Sequence, residues 1–120
     1  MTSVELNQLL IKAYPELKSE YEEEVSWQEG DETGSHVVFG DVFTPYLEKI
    51  LNDKDNEKVR KAFGFIEQVL DLNDKYCDEV IAFSVLEGLF DDSANFEFAT
   101  PYMGKRTQKF CEELKQSLGR

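Results

Sequence analysis

The chain has 120 residues, 41% of them hydrophobic and 12% aromatic, enough apolar material for one domain with a core and too much for wholesale disorder. Its 25 acids against 13 bases leave a net charge of −12. That excludes the nucleic-acid backbone and the anionic membrane surface as natural targets, because Lys and Arg supply the attraction in both cases, and it favours a basic protein partner.

In chain order, Thr2 or Ser3 caps a first helix with Leu6, Leu9, Leu10 and Ala13 on one face. Pro15 forbids a smooth continuation but suits the first turn of a second helix, which places Leu17, Tyr21 and Val25 at i, i+4 and i+8. The stretch QEGDETGS, residues 28–35, reads as a loop. Residues 36–43 are apolar and β-branched, but a lone strand has nothing to pair with. They read as buried loop or helix, followed by a definite helix to Leu51. Pro45 either starts that helix, with Thr44 as its cap, or kinks one that begins near Asp41.

Residues 56–73 carry one apolar stripe of Val59, Ala62, Phe63, Ile66, Val69 and Leu70, with Asn56 as cap and Gly64 available for close approach of a neighbouring helix. Residues 74–90 are apolar nearly all round from Val80 onward, which predicts a central helix, capped by Asn73 or Asp74. The very short connection makes these two helices antiparallel neighbours. The expected core joins Val80, Ile81, Phe83, Val85, Leu86 and Leu89 to Phe63, Ile66 and Leu70. Phe96 and Phe98 anchor a short helix or loop, Gly104 breaks the turn at Thr100–Pro101, and a last helix over residues 105–118 buries Phe110, Cys111, Leu114 and Leu118. The expected architecture is all-α: one helical domain over residues 1–120, a compact bundle or short α–α superhelical stack of six or seven short helices.

Charge is unevenly placed. Residues 1–32 hold nine acids against two bases, whereas residues 101–120 hold five bases against two acids, so a basic tail is expected to lie on an acidic body. The N-terminus has no basic region ahead of an apolar run, and no stretch reaches the roughly 20 apolar residues of a membrane span. A cytoplasmic location follows as the expectation, with Cys77 and Cys111 as reduced, non-catalytic core thiols.

The chemistry-bearing residues assemble into no catalytic, cofactor or metal motif. His36 is the one histidine, too few for a His-based zinc or di-iron site, and it reads as a core or surface-capping residue. The DKDNEK and DLNDKY stretches lack the Gly at position 6 and the Glu at position 12 of a calcium loop. MGKRT lacks the upstream glycine of a phosphate loop. Carboxylates such as Asp74 and Asp78 share a helix face but read as solvated.

The segment of residues 16–32 is the densest feature, with eight acids against Lys18 and the only tryptophan, Trp27. Two readings compete there. Trp27 either closes the core beneath the loop or anchors a partner, since Trp and Tyr dominate interface hot spots. The acidic run is either a solvated face or, as Glu20, Glu23, Glu24, Asp31 and Glu32 beside Trp27, part of a surface for a basic protein.

At YPELKSEYEEE, HVVFGDVFTPYLEKIL and AFSVLEGLF the chain resembles, over nearly its whole length, a family of small acidic all-α bacterial proteins without established activity, some of them encoded beside polymorphic toxins. That resemblance implies an immunity-type role and assigns no functional residue. The expected function is therefore a non-catalytic protein-binding module that masks a basic toxin with an acidic surface. The alternative is an enzyme or small-molecule binder with a pocket between helices, lined by His36, Tyr46, Tyr76 and Tyr102.

Overall fold

The structure, a computed structural model, describes residues 1–27 and 34–118. Among them the architecture is all-α, in seven helices. α1 is Ser3–Ala13, and Thr2 and Glu5 close its first turn with a reciprocal capping box. Pro15–Leu17 forms a tight 3₁₀ turn that runs straight into α2, Lys18–Trp27, so Pro15 does start the second helix.

The ambiguous stretch is one continuous helix, α3, over residues 35–52. It begins at Ser35, where the sequence suggested loop, and runs on through Pro45 instead of starting there. Its middle, Phe39–Phe43, is wound wider, with the Thr44 N–H donating to the Phe39 carbonyl. Pro45 has no N–H to offer the Asp41 carbonyl and its ring would crowd that oxygen; the widened turn lies where that conflict falls.

α4 is Asn56–Leu70, capped by the Asp55 carboxylate on the Lys58 N–H and not by Asn56. Gly64, expected to admit a close neighbour, faces open space. Asn73 takes a left-handed conformation (φ 54°) in the short turn, and Asp74 caps α5 over residues 75–89. α5 also widens in its middle, Val80–Leu86, with the Glu87 N–H donating to the Ala82 carbonyl. α6 is Ser93–Ala99, capped by Asp92, and α7 is Lys105–Leu118.

α3 and α5 lie side by side and form the centre. α1, α2, α4 and α6 pack on α3, while α4 and α7 pack on α5. Tyr14, Phe39, Phe43 and Phe65 are buried with ring centroids 5.7–6.4 Å apart; Phe39 stacks on Phe65 and the other contacting pairs are tilted or edge-on, arrangements that aromatic quadrupoles favour. Val80, Ile81, Val85, Leu86 and Leu89 are buried, as are Phe63, Ile66 and Leu70. Phe83 is not: it is 57% exposed. The apolar run of α5 is wider than the arc its neighbours cover, so a helix that reads as fully enclosed keeps one ring in solvent.

The basic tail lies on the acidic body. Arg106 Nε sits 2.6 Å from Asp71 Oδ1, and Glu67 accepts from the Arg106 N–H, the Thr107 N–H and the Thr107 hydroxyl at 2.8–3.0 Å. α7 buries Cys111 and Leu114 as expected, with Thr107 fully buried beside them and Phe110 only half-buried; the Leu118 side chain lies outside the described residues.

Candidate functional site

α2 turns the acidic run into a helix face. Leu17 and Tyr21 are buried and Val25 half-buried, which fixes the rotation of the helix. Glu20, Glu23, Glu24 and Trp27 recur at i, i+3, i+4 and i+7, so they share a different face. Glu20 and Glu23 are exposed and Glu24 is half-buried at the edge of that face. Trp27 ends the helix with its indole 79% exposed. It does not close the core, although tryptophan is on average a well-buried residue. Asp31 and Glu32 lie outside the described residues. Lys18 pairs with Glu22 at 3.8 Å, a loose surface contact that leaves the face acidic.

The residues suggested for an inter-helix pocket are not gathered in one place. Tyr46 packs edge-on to Tyr14 at 5.4 Å, and the Tyr102 hydroxyl donates to Asn56 Oδ1 at 2.7 Å. His36 and Tyr76 do meet, ring edge to face at 5.8 Å. They belong to a polar seam between α1, α3 and α5. The Tyr76 hydroxyl bonds Ser3 Oγ at 2.8 Å and accepts from the Ser35 N–H at 3.0 Å. Ser35 is fully buried and donates its hydroxyl to Asn7 Oδ1 at 2.8 Å. Thr44 Oγ1 donates to the Ser84 carbonyl at 2.7 Å, tying the two widened turns together.

His36 Nδ1 lies 2.9 Å from Ser84 Oγ, the spacing of a nucleophile and its base. Among the described residues nothing hydrogen-bonds the other ring nitrogen. His36 is exposed, and the contact serves as a surface link between α3 and α5. Sequence reasoning missed this seam because serines and a tyrosine dispersed over 80 residues carry no spacing signature.

Both cysteines are free and buried. Burial pushes each thiol up to about 11, with Asp74 adding to the shift at Cys77, so neither supplies a thiolate near neutral pH. Among the described residues no group of three or more His, Cys, Asp or Glu is arranged to hold a metal ion, and no helix is long and apolar enough to cross a membrane.

A second surface, which the sequence did not single out, is a groove of about 370 Å³ between α5 and α7 that contains the exposed Phe83. The assignment of Phe83 to the core concealed it.

The chain belongs to a family described as a domain of unknown function (DUF7674), whose model matches residues 7–119. The match spans almost the entire chain, in line with a resemblance that also covers nearly all of it. No curated protein and no solved structure matches the chain.

Proposed function

We propose that this protein is a non-catalytic binding module that recognises a basic protein partner through the outer face of α2. The observation that carries the reading is the 79% exposed indole of Trp27 on the helix face that presents Glu20, Glu23 and Glu24. A large aromatic left in water costs hydrophobic free energy that a partner would recover, and Trp is the residue type most enriched at interface hot spots. The surrounding carboxylates repel one another, so a cationic surface laid on them is stabilised, and opposite charge speeds encounter and selects the partner. In its most concrete form the partner is a basic toxin that the protein masks, as the family resemblance implies.

The test is comparative affinity capture from the native host with three full-length baits: the natural chain, Glu20→Lys with Glu23→Lys, and Trp27→Ala. The reading expects a basic protein retained by the first bait and depleted on the other two, with all three baits equally helical by circular dichroism. Equal recovery on all three baits contradicts it.

A further inference from the structure

The groove between α5 and α7 has an apolar floor of Ala82, Phe83, Phe110 and Leu114. Its rim carries the carboxylates Asp78, Glu79 and Glu113 against the single ammonium of Lys75. Phe83 leaves 57% of its surface in water there. Asp78 adds an independent oddity: its Oδ1 is buried and has no hydrogen-bond partner among the described residues. That oxygen has almost no accessible surface, so a cation in the groove meets Asp78 through the charge of its carboxylate and not through Oδ1.

We propose that this groove is a docking site for a basic amphipathic helix of a partner protein, which seats apolar side chains against Phe83 and brings a Lys or Arg cation to the Asp78 carboxylate. Each part of the groove selects for part of that occupant. The floor between two helices accepts the i, i+3, i+4 anchors of a third helix, the ordinary helix-in-groove mode. The three rim carboxylates select for cations flanking those anchors. Desolvation pushes the Asp78 carboxyl up, with Arg106 opposing and Asp74 acting in the same sense as burial, and a cation docked beside it acts in the opposite direction. A second copy of the chain is a poor occupant, because it would bring its own net charge of −12 to an acidic rim.

The groove shares no residue with the Glu20–Trp27 face, so the two surfaces fail independently. The direct probe is a fluorescein-labelled helical peptide built from Leu at i, i+3, i+4 and i+7 with Lys between, titrated with the full chain and read by anisotropy at about 0.15 M ionic strength. A matched peptide with Glu for Lys is the control. The proposal expects saturable binding of the Lys peptide alone, weakened about tenfold or more by Phe83→Ala and also weakened by Asp78→Asn. Glu20→Lys with Glu23→Lys should leave it within about twofold, a change below 0.5 kcal/mol. Phe83 is mostly exposed, so its truncation should leave the fold intact, and an unchanged circular dichroism spectrum checks this.

Four results overturn the proposal. Equal binding by Phe83→Ala removes the groove. Loss of binding in the α2 charge reversal moves the site to the other face. Displacement of the peptide by benzylamine at matching concentration makes the groove a small-molecule site. A concentration-dependent dimer abolished by Phe83→Ala, read by sedimentation, makes a second copy the occupant.

Discussion

Gly64 and Tyr14 are two positions where the chain departs from its most stable form. Gly64 sits inside α4 with nothing near the place a Cβ would occupy. Gly64→Ala should raise stability by about 0.5–1 kcal/mol by restricting the unfolded chain and improving helix propensity, a gain that urea denaturation reads directly. A loss of stability would mean that a neighbour packs on that face after all. Tyr14 is fully buried, its hydroxyl has no hydrogen-bond partner among the described residues, and burial raises its pKa. Its ring touches Phe43, Tyr46 and Phe65. Tyr14→Phe keeps those contacts and deletes the stranded hydroxyl, so the melting temperature should hold or rise by an amount worth about 1 kcal/mol. A drop of that size would instead place an ordered water or other partner on the hydroxyl.

Among the elements, α7 is clamped to the body of α4 through the Glu67 carboxylate, next to the Arg106–Asp71 ion pair. Partial burial pushes the Glu67 carboxyl up, but hydrogen bonds from the Thr107 N–H and hydroxyl and from the Arg106 N–H outweigh it, and the net shift is downward. A Cβ at position 104 would overlap the Glu67 side chain, and that chain cannot swing aside without breaking those bonds. Gly104→Ala and Glu67→Gln should therefore each cost about 1–3 kcal/mol at neutral pH, and the double variant should cost little more than either, since both remove one set of contacts. A group whose pKa is lowered on folding stabilises the fold above its ordinary value, about 4.3 for Glu, and ceases to do so as pH falls through the folded value. The gap between the natural chain and Glu67→Gln should be full at neutral pH and close in acid. A gap independent of pH would remove the carboxylate from this account.

The same elements show what a single sequence can and cannot convey. Helical periodicity located α1, α2, α4 and α7, because each alternates a packed stripe with a solvated one, and a long apolar run between cap and turn signals located α5. It failed at residues 36–43, where burial is nearly continuous and the 3.6-residue signal disappears into an apolar run. It failed again at Phe83, because an all-round apolar helix does not reveal which arc its neighbours leave open. The Glu67 clamp and the Tyr76 seam were invisible, since their partners lie 39–73 residues apart and are ordinary polar residues.

At the scale of the whole molecule, the acidic body is partly neutralised by its own tail, through Arg106 on Asp71. α2 keeps Glu20 and Glu23 exposed beside Trp27, and this is the face the proposed function uses. Salt screens such a field over about 8–10 Å, so Glu20→Lys with Glu23→Lys should act mainly on the rate of association with the captured partner and flatten its salt dependence. An association rate indifferent to both the substitutions and salt would reduce the acidic run to a solvated helix face.

Trp27 is the only tryptophan in the chain, so its fluorescence reports the proposed interface without a label. The decisive titration follows Trp27 emission and acrylamide quenching as the captured basic partner, or a tryptophan-free variant of it, is added. The free protein should emit as a hydrated indole and quench readily. Saturation should shift the emission to shorter wavelength and protect it from acrylamide. A partner that binds stoichiometrically while Trp27 keeps its emission maximum and its quenching constant would contradict the claim that this face is where the protein does its work.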